Sequence, residues 1–165
     1  METKTYEFHQ NNSGGSFDTD ENVCARVFIE AISYEDAIRK IEPMIESQSS
    51  SCPCCGDRWY LSEKIVDIQH FKETGYEVHT YTDMNEDAFK EWERKYGMFP
   101  RLSEPVLDNT GIFEKVSARI YFESVDHYIQ FMVNEYGRWT TPDARLHRID
   151  GRKKDFYYNA DNEEA

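Results

Sequence analysis

The feature that most constrains this fold is a strand pattern followed at once by a helix pattern. Every second residue from Ala25 to Ala31 is aliphatic, which is typical of a half-buried β-strand. Ser33 followed by Asp36 resembles a helix N-cap with an acidic first turn, and apolar residues then recur at helical spacing. Pro43 predicts that this helix ends near that position.

The same pattern occurs a second time. The segment Ala25–Glu30 reads ARVFIE, Ala118–Glu123 reads ARIYFE, and each stands directly before a helix pattern. Chance could explain six residues, but a generic strand–helix unit need not repeat the Arg and the Glu. A true repeat predicts two strand–helix units whose Arg–aromatic–Glu rows share the sheet face away from the helices. That face is then either a binding surface or a solvated face with ordinary cross-strand pairs. The row residues are Arg26, Phe28, Glu30, Arg119, Tyr121 and Glu123.

The remaining patterns predict an α+β fold, with a mostly antiparallel sheet and about three helices. Strands are expected at Thr5–Gln10, Ile65–Phe71, Tyr76–Tyr81, Phe113–Glu123, Arg145–Ile149 and Asp155–Tyr158. Further helices are expected from Asn85, as the N-cap, to Gly97 and from Val125 to Gly137. The second and third of these strands are expected to form a hairpin, and the last two a closing hairpin around Asp150-Gly151. The length suits a single domain, 1–165, within which 1–98 and 99–165 could be halves.

The chain carries a formal net charge of −13, and the acidic residues are spread along its length. Such a surface repels nucleic acids and anionic membranes, and it suits a basic protein partner or imitation of the charge of a nucleic acid. Solubility alone is the alternative reason for the charge. No stretch approaches the ~20 apolar residues that a membrane helix needs, and the N-terminus lacks the apolar core of a signal peptide. An intracellular protein is therefore expected.

The segment Cys52-Pro53-Cys54-Cys55-Gly56 contains the C-P-x-C-G spacing of a zinc knuckle. Two thiolates at this spacing can bind one ion, but a closed site needs four ligands and no second C-x-x-C is present. Cys24, Cys54 and histidines are the available additions. The alternatives are a reduced thiol cluster in a tight loop and a redox pair formed by Cys52 and Cys55.

Two further segments have compositions that suit a small ligand. The loop Asn11, Asn12, Ser13, Gly14 and Gly15 can turn backbone N–H groups toward an anion, although a hairpin loop is the simpler interpretation. Arg138 to Lys154 is a basic region, where Arg138, Trp139 and Arg148 could grip a nucleotide. Pairing of this region with the chain's own acidic residues is the alternative.

No catalytic signature accompanies these segments. The histidines lie outside any H-E-x-x-H setting, and G-x-S-x-G is absent. On the predicted hairpin His70 and His79 would meet across two strands. Such a pair can be structural or functional.

The motifs Gln10–Phe17 (QNNSGGSF), Val27–Ala31 (VFIEA) and Cys52–Trp59 (CPCCGDRW), in this order, resemble a family of small, uncharacterised tailed-phage proteins. The resemblance covers roughly the first 60 residues. It implies a viral accessory protein made in the cytoplasm of an infected bacterium, and it implies no activity. Ser49–Ser51 stand where the family often has a further Cys, which puts a four-ligand zinc site in doubt.

These observations lead to one principal hypothesis and two alternatives. The principal hypothesis is a non-enzymatic phage accessory protein that binds a host or anti-phage-defence protein through its acidic surface. The first alternative is a small-ligand or nucleotide-binding sponge that uses the Asn–Gly loop and the basic region. The second is an enzyme that acts on a nucleotide or thiol.

Overall fold

A computed structural model of the chain describes residues 2–10, 17, 19–46, 51–52, 56–57, 59–80, 85–99, 101–107, 116–137 and 142–158. The helices are α1 (Tyr34–Ile45), α2 (Ile68–Glu73), α3 (Glu86–Tyr96) and α4 (Val125–Tyr136). The strands are β1 (Lys4–Gln10), β2 (Arg26–Ala31), β3 (Ser51–Cys52), β4 (Gly56–Asp57), β5 (Trp59–Tyr60), β6 (Ile65–Val66), β7 (Tyr76–Thr80), β8 (Val106–Leu107), β9 (Val116–Ile120), β10 (Ala144–His147) and β11 (Lys153–Phe156).

The chain forms two compact units that are interleaved in sequence. The first contains Met1–Asp67 and Ile129–Tyr158, and the second contains Ile68–Tyr128. This division differs from the consecutive halves 1–98 and 99–165 that the sequence suggested.

The first unit is built on a six-stranded sheet with the order β11-β10-β2-β1-β5, in which β6 also pairs with β1. All its strand pairs are antiparallel except that of β10 with β2, which is parallel. The prediction of an α+β fold with a mostly antiparallel sheet is therefore confirmed. The predicted closing hairpin is also present, as β10 and β11.

Helix α1 covers one face of this sheet because its apolar stripe matches the alternation in β1 and β2. Ala37 and Ile41 are fully buried in a cluster with Phe8, Val27 and Ile29. As predicted, the Ser33 side chain caps the helix: its Oγ accepts a hydrogen bond from the Asp36 N–H at 3.1 Å.

The prediction that α1 ends near Pro43 is confirmed to within two residues. Pro43 lies inside α1, which continues to Ile45. Its missing N–H removes a single helical hydrogen bond in the last turn, where the helix is about to end, so the disruption stays local.

The second unit contains a three-stranded antiparallel sheet with the order β7-β9-β8. An aromatic cluster is also part of this unit. The Phe122 ring lies 5.5 Å from that of Phe71 and 5.6 Å from that of Tyr128, both edge-on. Helix α3 has the predicted ends: Asn85 Oδ1 accepts from the Ala88 N–H at 2.8 Å, and Gly97 is the C-cap.

The prediction of a hairpin between Ile65–Phe71 and Tyr76–Tyr81 was wrong. Ile65–Val66 is a short strand that pairs with β1, residues 68–73 form α2, and β7 pairs with β9. The reason lies at Gly75, whose φ is +80° and whose N–H donates to the Phe71 carbonyl at 3.1 Å. Gly75 thus follows a helix end and does not make a strand-to-strand turn.

Candidate functional site

A charged cluster is centred on Glu7, in the middle of β1. The Glu7 Oε2 lies 2.7 Å from Arg26 Nη1 and 3.4 Å from Lys64 Nζ. The Glu7 side chain is 0% exposed, whereas those of Arg26 and Lys64 are 26% and 52% exposed. One buried carboxylate is therefore compensated by two cations that both reach solvent.

Sheet register brings these three groups together. In the pairing of β1 with β2, Glu7 stands opposite Phe28 and His9 stands opposite Arg26, so Arg26 is the diagonal neighbour of Glu7. Lys64 directly precedes β6, and its carbonyl accepts a hydrogen bond from the Glu7 N–H at 2.9 Å. The cluster therefore joins segments that are 57 residues apart in sequence.

An aromatic pair adjoins the cluster. His9 of β1 stands opposite Tyr60 of β5, and the centroids of the two rings are 4.7 Å apart. Tyr60, His9 and Arg26 thus form one cross-strand row on the sheet face opposite α1. Burial lowers the pKa of His9, and the positive charges of Arg26 and Lys64 lower it further.

The two loop motifs adjoin this row. Gln10, the last residue of β1, pairs with Trp59, the first residue of β5. The first loop motif continues from Gln10, and the second ends at Trp59. The described residues do not include the predicted ligand residues of the first motif, Asn11, Asn12, Ser13, Gly14 and Gly15. They also do not include Cys54 and Cys55 of the second motif.

The cysteine motif contains a tight antiparallel pairing. Cys52 pairs with Gly56, and Ser51 pairs with Asp57. The first cysteine and the glycine of the C-P-x-C-G motif therefore stand opposite each other. No group of three or more His, Cys, Asp or Glu side chains in the described ranges is arranged to hold a metal ion.

Cys24 is an unsuitable metal ligand. Its side chain is fully buried, and its Sγ donates to the Arg26 carbonyl at 3.3 Å. Burial raises the pKa of the Cys24 thiol to about 12. Metal binding needs the thiolate, which this environment disfavours.

The basic C-terminal region makes many of its contacts within the first unit. The Arg145 guanidinium pairs with Asp155 at 2.7 Å and donates to the carbonyls of Asp20 and Val23. His147 Nε2 donates to the Asn22 carbonyl at 2.7 Å. Lys153 Nζ donates to the preceding carbonyl of the chain, that of Glu21, at 2.8 Å. Three basic side chains therefore donate hydrogen bonds to four consecutive carbonyls, those of residues 20 to 23.

The ligand residues predicted in this region are Arg138, Trp139 and Arg148. Arg148 stands at the turn between β10 and β11, where its carbonyl accepts from the Gly151 N–H at 3.0 Å. Arg138 and Trp139 lie outside the part of the chain that the structure describes.

The predicted Arg–aromatic–Glu rows do not share a face, because β2 and β9 belong to different sheets. In the first row Phe28 is fully buried, so it cannot form part of an exposed binding surface. Glu30 is partly buried, and its Oε1 accepts from the Ile149 N–H at 2.8 Å. The first row is therefore largely structural, apart from Arg26.

The second row is open to solvent. Arg119 lies 3.7 Å from Glu77, and it also donates to the Thr74 carbonyl at 3.0 Å. Arg101 stacks over the Tyr121 ring at 4.7 Å and lies 3.4 Å from Glu123. Arg119 of this row and the neighbouring Arg101 therefore each have a carboxylate partner, and these side chains remain partly exposed.

The predicted contact between His70 and His79 was wrong. His70 lies in α2 and His79 in β7, so no hairpin places them opposite each other.

The model of one protein family matches residues 3–163 of the chain, which covers nearly its whole length. The chain belongs to this family, a domain of unknown function (DUF7296). No curated protein and no solved structure matches it. The DUF7296 match includes Glu7, Arg26 and Lys64 as well as the row around Arg119.

The DUF7296 match also includes an extension of the internal repeat that sequence reasoning missed. Tyr6–His9 reads YEFH, and Tyr76–His79 reads YEVH. Each segment lies in a strand that pairs antiparallel with an ARxxxE strand, and each supplies the glutamate that pairs with the arginine. The register differs by two residues, since Arg26 stands opposite His9 and Arg119 opposite Glu77. The signal was present in the sequence, but strand pairing was needed to relate the four segments.

No helix of the described ranges is long and apolar enough to span a membrane.

Proposed function

We propose that this member of the DUF7296 family is a non-enzymatic phage accessory protein that binds a host or anti-phage-defence protein through its acidic surface. The observation that carries the proposal is the placement of its charge. The net charge is −13, and among the described residues Glu7 and Asp143 are the buried carboxylates. The other carboxylates of the described residues are therefore at least partly exposed, where their charge can act on a partner.

The phage origin and the location in the bacterial cytoplasm rest on the resemblance of the first 60 residues. The motifs QNNSGGSF and CPCCGDRW carry that resemblance. The family model supports membership of one domain family and assigns no activity.

The outer face of α1 illustrates the available acidic surface. Glu35, Glu42 and Glu46 are exposed there, and no ion pair among the described residues involves them. A partner with a basic surface would gain electrostatic attraction that speeds encounter and favours the correct orientation. Nucleic acid and anionic membranes would be repelled by the same charge.

Affinity capture tests this proposal. The tagged protein is incubated with a bacterial host lysate at about 50 mM and at about 300 mM salt, because charge attraction between surfaces weakens as the Debye length shortens. We expect one dominant protein with a basic surface at low salt and its loss at the higher salt. An empty capture, or a retained protein that is indifferent to salt, would contradict the proposal.

The zinc prediction for the cysteine motif stays a prediction. The pairing of Cys52 with Gly56 favours it, whereas the burial of Cys24 disfavours that residue as a further ligand. Metal analysis of protein never exposed to chelator decides the matter, since a bound ion requires about one zinc per chain.

A further inference from the structure

We propose that Arg26, Lys64, His9 and Tyr60 form a binding site for a small phosphate monoester that carries a planar ring, such as a nucleoside monophosphate. The site lies on the face of the six-stranded sheet opposite α1, so it is independent of the acidic surface invoked above.

The cluster around Glu7 has more positive than negative side chains. Arg26 and Lys64 share the single carboxylate of Glu7, at 2.7 Å and 3.4 Å, which leaves this cluster with a net positive charge in a strongly acidic chain. Arg39 and Lys40 also share one carboxylate, that of Asp36, but the exposed Glu35 and Glu42 lie on the same helix. Arg101 has Glu123 as its carboxylate partner, and Arg119 has Glu77.

Arg26 and Lys64 have hydrogen-bond donors that Glu7 does not use. A guanidinium has five N–H donors and an ammonium has three. Within the described ranges the Arg26 side chain uses one donor, toward Glu7, and Lys64 makes a single long contact with the same carboxylate. Both side chains are partly exposed, so their remaining donors can reach the oxygens of a phosphate.

An aromatic surface lies beside these cations. The Tyr60 side chain is 48% exposed, and the His9 ring holds it at a centroid distance of 4.7 Å. A planar ring, such as a nucleic-acid base, can stack on such a surface. Arg26 follows His9 in the same cross-strand row, so anion and ring would be held side by side.

The protonation state of His9 also suits this site. Burial and the two cations lower its pKa, so the ring is neutral near pH 7 and can donate one hydrogen bond. The negative charge of Glu7 opposes this shift only in part. A phosphate bound between the cations would add negative charge beside His9 and would therefore raise its pKa.

Calorimetric titration with adenosine monophosphate, inorganic phosphate and adenosine tests the site. We expect adenosine monophosphate to bind most tightly, because it alone has both the anion and the ring. The variant Lys64→Gln should raise its Kd about tenfold, which corresponds to the loss of one charge-assisted contact. Lys90→Gln is the matched control, because Lys90 is 68% exposed in the second unit and its loss changes the net charge equally. That control should stay within about twofold.

Several results would overturn the proposal. One is the absence of binding by adenosine monophosphate at about 1 mM, the weak end of specific affinity. Another is equal weakening, or none, in Lys64→Gln and Lys90→Gln. Equal affinity for phosphate and adenosine monophosphate would overturn the role of Tyr60 and His9.

A second measurement needs no variant, so it holds even if a substitution disturbs folding. The pKa of His9 is followed by NMR in the unaltered chain with and without adenosine monophosphate. We expect the pKa to rise on addition of the nucleotide. An unchanged titration of His9 in the presence of saturating nucleotide would place the ligand elsewhere and overturn the site.

Discussion

The Arg26 guanidinium lies 2.7 Å from a Glu7 carboxylate that has no exposed surface. The equivalent pair of the internal repeat, Arg119 with Glu77, spans 3.7 Å, and both side chains are about half exposed. The same two residue types therefore meet in two different dielectric environments within one chain. Because an unpartnered buried charge is costly and an exposed one is not, the two pairs should differ in their effect on stability.

Arg26→Met tests this difference, because methionine keeps the length of the side chain and removes the charge. It should lower the free energy of unfolding by about 2–3 kcal/mol, since the buried Glu7 carboxylate then loses its ion pair at 2.7 Å. Arg119→Met, the matched control, should cost less than about 1 kcal/mol. Urea unfolding measures both, and equal losses would show that the Glu7 pair has no special role.

Arg145 should be sensitive even to a conservative change. Arg145→Lys keeps the charge but loses the fork of N–H donors that holds Asp155 and the Asp20 carbonyl together. We expect a loss of about 2 kcal/mol in the free energy of unfolding, consistent with hydrogen bonds to charged groups. Arg152→Lys is the control, because Arg152 is 77% exposed and pairs with Asp150 at the surface. If both variants have the same free energy of unfolding as the parent chain, the hydrogen bonds of the Arg145 guanidinium do not stabilise the fold and the prediction is contradicted.

Stability should fall as the solution becomes mildly acidic. Burial lowers the pKa of His147 and of His9 below the ordinary value of 6.5, so the unfolded chain takes up protons first as the pH falls. The stabilising contribution is thus complete above about pH 6.5 and is lost as the pH falls toward the folded-state values. Urea unfolding at about pH 7.5 and about pH 5.5 measures the loss, which should be smaller in His147→Gln. An identical pH dependence in that variant would exclude His147 as a source.

Two glycines with positive φ allow backbone strain to be separated from crowding. Gly75 has a φ of +80°, and a Cβ there would lie 3.0 Å from Tyr121 Cε1 and 3.1 Å from Arg119 Cβ. Gly151 has a φ of +92° and open space around it. Gly151→Ala should cost about 1 kcal/mol from the left-handed backbone alone, and Gly75→Ala should cost more. Thermal unfolding ranks the two variants, and the reverse order would contradict the close approach of β9 to Gly75.

The sequence was informative where local patterns decide the structure. Ser33 and Asn85 were predicted as helix caps, and both side chains accept the expected backbone N–H groups. Helix α2 was missed because six residues are too few to show a helical period. Its Phe71 is oriented by ring contacts with Phe122 and Tyr128, which are distant in sequence.

The candidate site was only partly accessible from sequence. Arg26 was selected through the internal repeat, but Glu7 sits in an alternating strand pattern whose polar positions usually face solvent. Glu7 is buried because both faces of the sheet are covered at this position. Its partner Lys64 lies 57 residues further along the chain. The parallel pairing of β10 with β2 likewise leaves no local signal in either strand.

Paired affinity capture tests the proposed function most directly. Two variants remove exposed carboxylates from one helix each and keep side-chain size. The α1 variant carries Glu35→Gln, Glu42→Gln and Glu46→Gln, and the α3 variant carries Glu86→Gln, Asp87→Asn and Glu93→Gln. If the acidic surface binds a basic partner, at least one variant should retain several-fold less of the protein captured by the parent chain at low salt. Undiminished retention by both variants, with their folds intact, would contradict binding through the acidic surface.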